Sequence, residues 1–181
     1  MQLNSIYTIG HSTRALEEFV GLLQMNGVRR LADIRRYPGS RRYPHFSGES
    51  LALSLPASGI EYHHFEDLGG RRSPVANSPN GAWNNDQFRG YADHMGSPAF
   101  HAAVDRLLAS DLPTAVMCAE AVPWRCHRNL LADELVGRGV TVLHIVGPAP
   151  PQPHALSKMA RIVAGRVIYP PEQQPIDFGA L

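Results

Sequence analysis

The sequence predicts an α/β fold: a three-layer sandwich around a mostly parallel sheet of about five strands. Residues 3–34 read as strand, helix and strand, and two strands joined by a helix run parallel with a right-handed crossover. β-rich and helix-periodic segments keep alternating beyond them, the order that puts helices on both faces of a parallel sheet. The chain has 181 residues, 44% hydrophobic and 18% charged, enough for one domain whose core forms without a disulfide or metal.

Each element has its own signal. Leu3 to Ile9 is β-rich and runs into Gly10-His11-Ser12-Thr13. Leu16, Phe19, Val20 and Leu23 then recur at helical spacing. Ser12 or Thr13 is the expected cap of that helix, and Gly27 sits where it should stop. Val28 to Ile34 is the second strand, and residues 35–48 form a loop rich in Arg, Pro, Gly and Tyr. A short helix over Glu49–Leu55 and a strand over Ile60–Phe65 follow. Residues 69–85 carry Gly69, Gly70, Pro74, Pro79 and Gly81 with little periodicity, and long loops of this kind tend to be functional or mobile. Asp86–Met95 and Pro98–Leu108 read as consecutive helices and Thr114–Cys118 as a short apolar strand. Pro123–Val136 reads as a helix, Val140–Val146 as a strand, and Pro153–Val163 as a last helix. Residues 1–169 are expected to form a single α/β domain, with 170–181 a Pro-rich extended tail.

Composition excludes several classes. No apolar run approaches the roughly 20 residues of a membrane span, and Met1–Gly10 has no basic region followed by an apolar stretch. With two cysteines, Cys118 and Cys126, a disulfide framework is excluded, and free thiols in a reducing cytoplasm are the expectation. Net charge is +1, yet Lys158 is the one lysine among 17 basic residues. A GC-rich genome would favour arginine codons in this way. Its physical consequence stands: arginine offers a planar fork to phosphate or carboxylate and stacks on flat rings.

Ligands of open α/β sheets bind beyond the carboxyl ends of the strands. Three strand-to-helix loops are polar there: Gly10-His11-Ser12, Asp33-Ile34-Arg35-Arg36 into Ser40-Arg41-Arg42, and Cys118-Ala119-Glu120 through Cys126-His127-Arg128. In the third, Pro123 suits a first helical turn, which would hold Cys126 and His127 near a helix N-terminus that favours thiolate. Arg128 lies on the stripe of Leu131, Ala132 and Leu135, so it should point inward and find an acid or an anionic ligand. Glu120, Asp33 and Glu66 are the candidate partners, and a buried Arg–Glu pair that only braces the loop is the structural alternative. Glu120 suits a general base. Cys118 should pack, leaving Cys126 the better candidate for a reactive thiol. In the second loop, Arg29 to Arg42 holds six arginines and one acid, with Tyr37, Tyr43, His45 and Phe46 interleaved. That composition suits a phosphate backbone with stacked bases.

These residues resemble the family catalogued as domain of unknown function 488. The resemblance rests on Thr8-Ile9-Gly10-His11-Ser12; Asp33-Ile34-Arg35 with Pro38, Ser40 and Arg41; Tyr62 with Leu68-Gly69-Gly70; Phe88 with Tyr91; and Cys118-Ala119-Glu120 with Cys126-His127-Arg128. It implies a shared site at one sheet edge and names no reaction.

The leading expectation is an enzyme that hydrolyses a glycosidic or phosphoester bond in nucleic acid (DNA or RNA) or a nucleotide. Glu120, His11, Cys126 and His127 are the candidate catalytic residues. Ser12, Asp33, Arg35, Arg36, Tyr37, Ser40, Arg41 and Arg128 are the candidate substrate-binding residues. No cofactor, metal site or membrane is expected. The alternatives are a non-catalytic nucleic-acid or nucleotide-binding module, and a thiol- or metal-dependent enzyme using Cys126 and His127.

Overall fold

Alternation along the strands builds the architecture. The computed structural model describes residues 5–172. Its sheet contains β1 (Ser5–Gly10), β2 (Arg30–Asp33), β3 (Glu61–His64), β4 (Thr114–Cys118) and β5 (Thr141–Ile145), all parallel, with a two-residue antiparallel edge, β6 (Gln152–Pro153). The order is β3-β2-β4-β1-β5-β6. In β4, Val116 and Cys118 enter one core while Ala115 and Met117 enter the other. A strand covered on both faces needs such an unbroken apolar run.

Helices α1 (Leu16–Met25) and α2 (Gly48–Ser54) cover one face, burying Phe19, Leu22, Leu23 and Leu51. Helices α3 (Asp86–Met95), α4 (Pro98–Leu108) and α5 (Arg128–Gly137) cover the other. This is the expected three-layer sandwich. Side-chain caps start three helices: Ser47 accepts from the Ser50 amide, Asn85 from Gln87 and Phe88, and Ser97 from Phe100, with Pro98 in the first turn.

Three local expectations are corrected. Neither Ser12 nor Thr13 caps α1; Ala15 stands at that position without a side-chain bond. The Ser12 amide instead donates to the Ala119 carbonyl, prolonging the β1–β4 ladder past its end. The helix expected from Pro123 is a single 3-10 turn over Pro123–Arg125, an extended Cys126, and then α5 from Arg128. The extended backbone at Cys126 lets its sulfur meet that of Cys118.

The helix expected over Pro153–Val163 is absent. The chain forms β6 and then a hairpin of β7 (Arg161–Val163) and β8 (Arg166–Ile168). Its turn residues Ala164 and Gly165 both have positive φ, as tight hairpin turns require. Polar partners outweigh the helical spacing here. Thr8 Oγ1 meets His144 Nδ1 at 2.6 Å, His144 Nε2 meets His154 Nδ1 at 2.9 Å, and His154 Nε2 meets Asp133 Oδ1 at 2.9 Å. The Ser157 amide donates to the same Asp133 oxygen, and the buried Tyr169 hydroxyl donates to the other at 2.8 Å. Breaking this chain would strand several buried polar groups. The expected tail lies, from residue 173 on, outside the described residues.

The sheet order creates a switch point. The connection leaving β1 crosses to β2 on one side of the sheet; the one leaving β4 crosses to β5 on the other. Helices α1 and α5 accordingly lie on opposite faces, and a crevice opens where β1 and β4 end side by side. At that point the Glu120 carbonyl packs directly on Gly10, where a Cβ would overlap it. Gly10→Ala must push the two backbones apart. It should cost about 3 kcal/mol or more, read as a lower urea midpoint at unchanged slope; an unshifted midpoint would contradict the packing.

Candidate active site

Three loops meet at this edge. From β1 comes His11, buried and stacked on Phe46 with ring centroids 4.5 Å apart. Its Nδ1 lies 2.9 Å from the Ser12 carbonyl, which can only accept, so Nδ1 carries the proton and Nε2 keeps its lone pair. Arg35 Nη1 lies 3.4 Å from that Nε2. Burial, with the Arg35 charge assisting, lowers the His11 pKa to about 4. The ring is neutral at neutral pH.

From β2 comes a fixed pair. Asp33 is fully buried and accepts from Arg35 Nε at 2.8 Å, from Arg35 Nη2, from the Arg35 amide at 3.0 Å and from the Tyr62 hydroxyl at 2.8 Å. These bonds use both carboxylate oxygens, so Asp33 orients Arg35 and leaves little to offer a ligand. Burial first, and then the Asp33 charge, push the Tyr62 phenol well up. Further along, Arg36 and Arg71 flank the exposed Tyr37 ring, their guanidinium carbons 5.5 and 6.0 Å from its centroid. Arg36 Nη1 also donates to the Arg71 carbonyl at 2.8 Å. Ser40 accepts from the Tyr43 amide and lines the cleft; Arg41 is exposed outside it, and Arg42 lines it instead.

From β4 comes the sulfur pair. Cys126 Sγ donates to Cys118 Sγ at 2.7 Å. Burial raises both thiols. At Cys118 the S–H from Cys126 and the Arg128 charge outweigh burial and lower the pKa, whereas Cys126 is pushed well up. His127 Nε2 lies 3.1 Å from the Ile34 carbonyl, so Nε2 holds the proton and Nδ1 faces Cys126 Sγ at 3.5 Å. Burial lowers the His127 pKa to about 4. This ring fits because Gly70 faces it: a Cβ there would lie 2.8 Å from Nδ1.

Arg128 does point inward, 1% exposed, but it takes no carboxylate. Its Nη2 donates to the carbonyls of Glu120 and Ala121 at 3.1 and 3.4 Å, and its Nε and Nη1 are buried without a partner. The Glu120 side chain makes no ion pair among the described residues.

The three loops line one cleft of about 830 Å³. His11, Ser12, Arg35, Arg36, Tyr37, Ser40, Glu120, Cys126 and His127 all border it; Asp33, Arg41 and Arg128 do not. Sequence reasoning did not assign Arg42, Arg71 and Arg125 to the wall, nor Phe88 beside them. Arg71 directly follows Gly69-Gly70, and a glycine pair before an arginine was the readable signal. Ser12 and Arg71 adopt φ of 51° and 57°, a strained region for such residues that tends to concentrate at functional sites. Among the described residues no three His, Cys, Asp or Glu side chains gather as a metal-binding set, and no helix is long and apolar enough to cross a membrane.

Three imidazoles, His11, His127 and His144, fall to about pKa 4 in the folded chain from an ordinary 6.5, mainly through burial. Between those values the unfolded chain binds more protons, so stability is lost as pH drops from 6.5 to 4. Thermal unfolding should show Tm falling through that window; a Tm level down to pH 4 would contradict neutral buried rings.

The family model described as "Domain of unknown function DUF488" matches residues 15–135, from the start of α1 into α5. Comparisons with curated proteins and with solved structures find no match. The match includes the polar loops after β2 and β4 and spans well over half of the sequence, so the chain belongs to the family of the domain of unknown function DUF488.

Proposed function

We propose that this chain is a hydrolase acting on nucleic acid or a nucleotide, with Glu120 activating the water that breaks a glycosidic or phosphoester bond. One observation carries the reading. Among the described residues, Glu120 is the sole carboxylate on the cleft wall, it is free of ion pairs, and five arginines share the wall with it: Arg35, Arg36, Arg42, Arg71 and Arg125. Such a wall attracts an anion and leaves one base unspent. The exposed Tyr37 ring beside two guanidinium groups supports base stacking next to phosphate contacts. Neutral His11 borders the same cleft, its Nε2 facing Arg35 Nη1. The two free cysteines suit a cytoplasmic setting.

In a non-catalytic binding module Glu120 would only brace Arg128. The carbonyl contacts of Arg128 remove that job from its carboxylate, which favours the catalytic reading. Anisotropy of labelled single- and double-stranded DNA and RNA over a salt series tests the ligand class. Binding should weaken steeply with salt, and Arg36→Ala or Arg42→Ala should each flatten the slope by about one phosphate contact. No binding at low salt to these or to free nucleotides would sink the reading. Oligonucleotides with modified bases, assayed for base release and strand cleavage, then separate the two bond types. On the active substrate, Glu120→Gln should keep affinity and lose roughly 100-fold or more in turnover; wild-type turnover in that variant would refute the role of Glu120.

A further inference from the structure

The hydrolytic reading leaves two sulfurs and a cation unused. Cys118 stands at the last position of β4, its carbonyl held by the His11 amide. Cys126 comes eight residues later, in extended backbone just before α5, and its sulfur touches that of Cys118 at 2.7 Å. The Arg128 amide donates to Cys126 Sγ at 3.4 Å. The charge of the Arg128 guanidinium, two of whose nitrogens lack a partner, acts on both sulfurs. A buried cation without a counter-ion is costly, and the anion within reach is a thiolate. Both cysteines are buried yet border the cleft, the route by which a small solute would approach them. Packing alone explains neither the sulfur contact nor the unpaired guanidinium.

We propose that Cys118 and Cys126 form a reversible two-thiol oxidation site that reacts with hydroperoxide and closes into an intrachain disulfide around the 119–125 loop. The Cys118 thiolate attacks one peroxide oxygen, breaking the O–O bond; Cys118 becomes a sulfenic acid and hydroxide leaves, taking a proton to become water. The Cys126 sulfur, whose S–H already points at Cys118, attacks the Cys118 sulfur. The S–O bond breaks, and the departing hydroxide takes the Cys126 proton and leaves as a second water. Two thiols lose two electrons in total and the peroxide gains them. The ring so closed contains Glu120 and Arg125, so oxidation state sets how freely that wall of the cleft moves. The proposal holds whether or not Glu120 activates water.

The chain contains two cysteines, so thiol titration counts both without ambiguity. Folded protein is treated with excess hydrogen peroxide, then with dithiothreitol, and followed by thiol count and intact mass. The expected result is loss of both thiols with a mass decrease of about 2 Da and no dimer, fully restored by the reductant. Cys118→Ser and Cys126→Ser should each abolish the reversible mass decrease. Two thiols surviving the peroxide, oxygen addition without the mass decrease, or a disulfide found only between chains would each overturn the site. These readouts involve neither binding nor turnover, so failure here is distinct from failure of the hydrolytic reading.

Discussion

The site depends on one close approach of backbone to backbone, where the Glu120 carbonyl rests on Gly10. Because no side chain separates them, the β1–β4 ladder continues past the sheet edge, His11 pairing with Cys118 and Ser12 with Ala119. That continuation fixes where β1 turns away and therefore where His11 stands, stacked on Phe46 and within reach of Arg35. From the other side, Arg128 grips the carbonyls of Glu120 and Ala121. The loop carrying Glu120 is thus held at its backbone by two neighbours while its carboxylate stays unbound. Holding the chain and releasing the side chain is how a rigid scaffold presents a reactive group.

Charge in the cleft is distributed by burial. Asp33, fully enclosed, is committed to Arg35 and Tyr62 and serves as an internal brace. The imidazoles of His11 and His127 are held neutral by burial, each anchored through one nitrogen to a backbone carbonyl, with Arg35 at the other nitrogen of His11 and Cys126 at that of His127. The positive charge of the wall comes from Arg35, fixed by Asp33, and from the less buried Arg36, Arg42, Arg71 and Arg125.

Much of the layout is legible in the sequence. The alternating elements, the buried β4 run and the inward Arg128 all follow from spacing, and the three polar loops follow from the topology. What spacing does not carry is the identity of partners. Arg128 sits where its stripe puts it, yet its bonds go to carbonyls, which have no side-chain signature. The Cys118–Cys126 contact needs an irregular break ahead of α5 that a helical reading of Pro123–Val136 smooths over. The segment after β5 misleads because Leu156, Met159 and Ala160 have helical spacing while His154 and Ser157 are claimed by Asp133 from another element. Ala164-Gly165 was the local hairpin signal there, outweighed by the longer pattern.

The strand order also bears on how the molecule comes into being. β1 precedes the other strands of its sheet and sits between β4 and β5; Thr8 and His144, bonded in the finished fold, are 136 residues apart in the chain. On the ribosome, β1 therefore emerges with both hydrogen-bonding edges open and has no sheet partner until β4 and β5 follow. Closing contacts of such long range is slow, and an unpaired apolar strand is a target for wrong partners meanwhile. The crevice at the β1–β4 boundary in this sense comes late: a nascent chain halted before β4 carries every arginine of the second loop, yet has no cleft in which to use them.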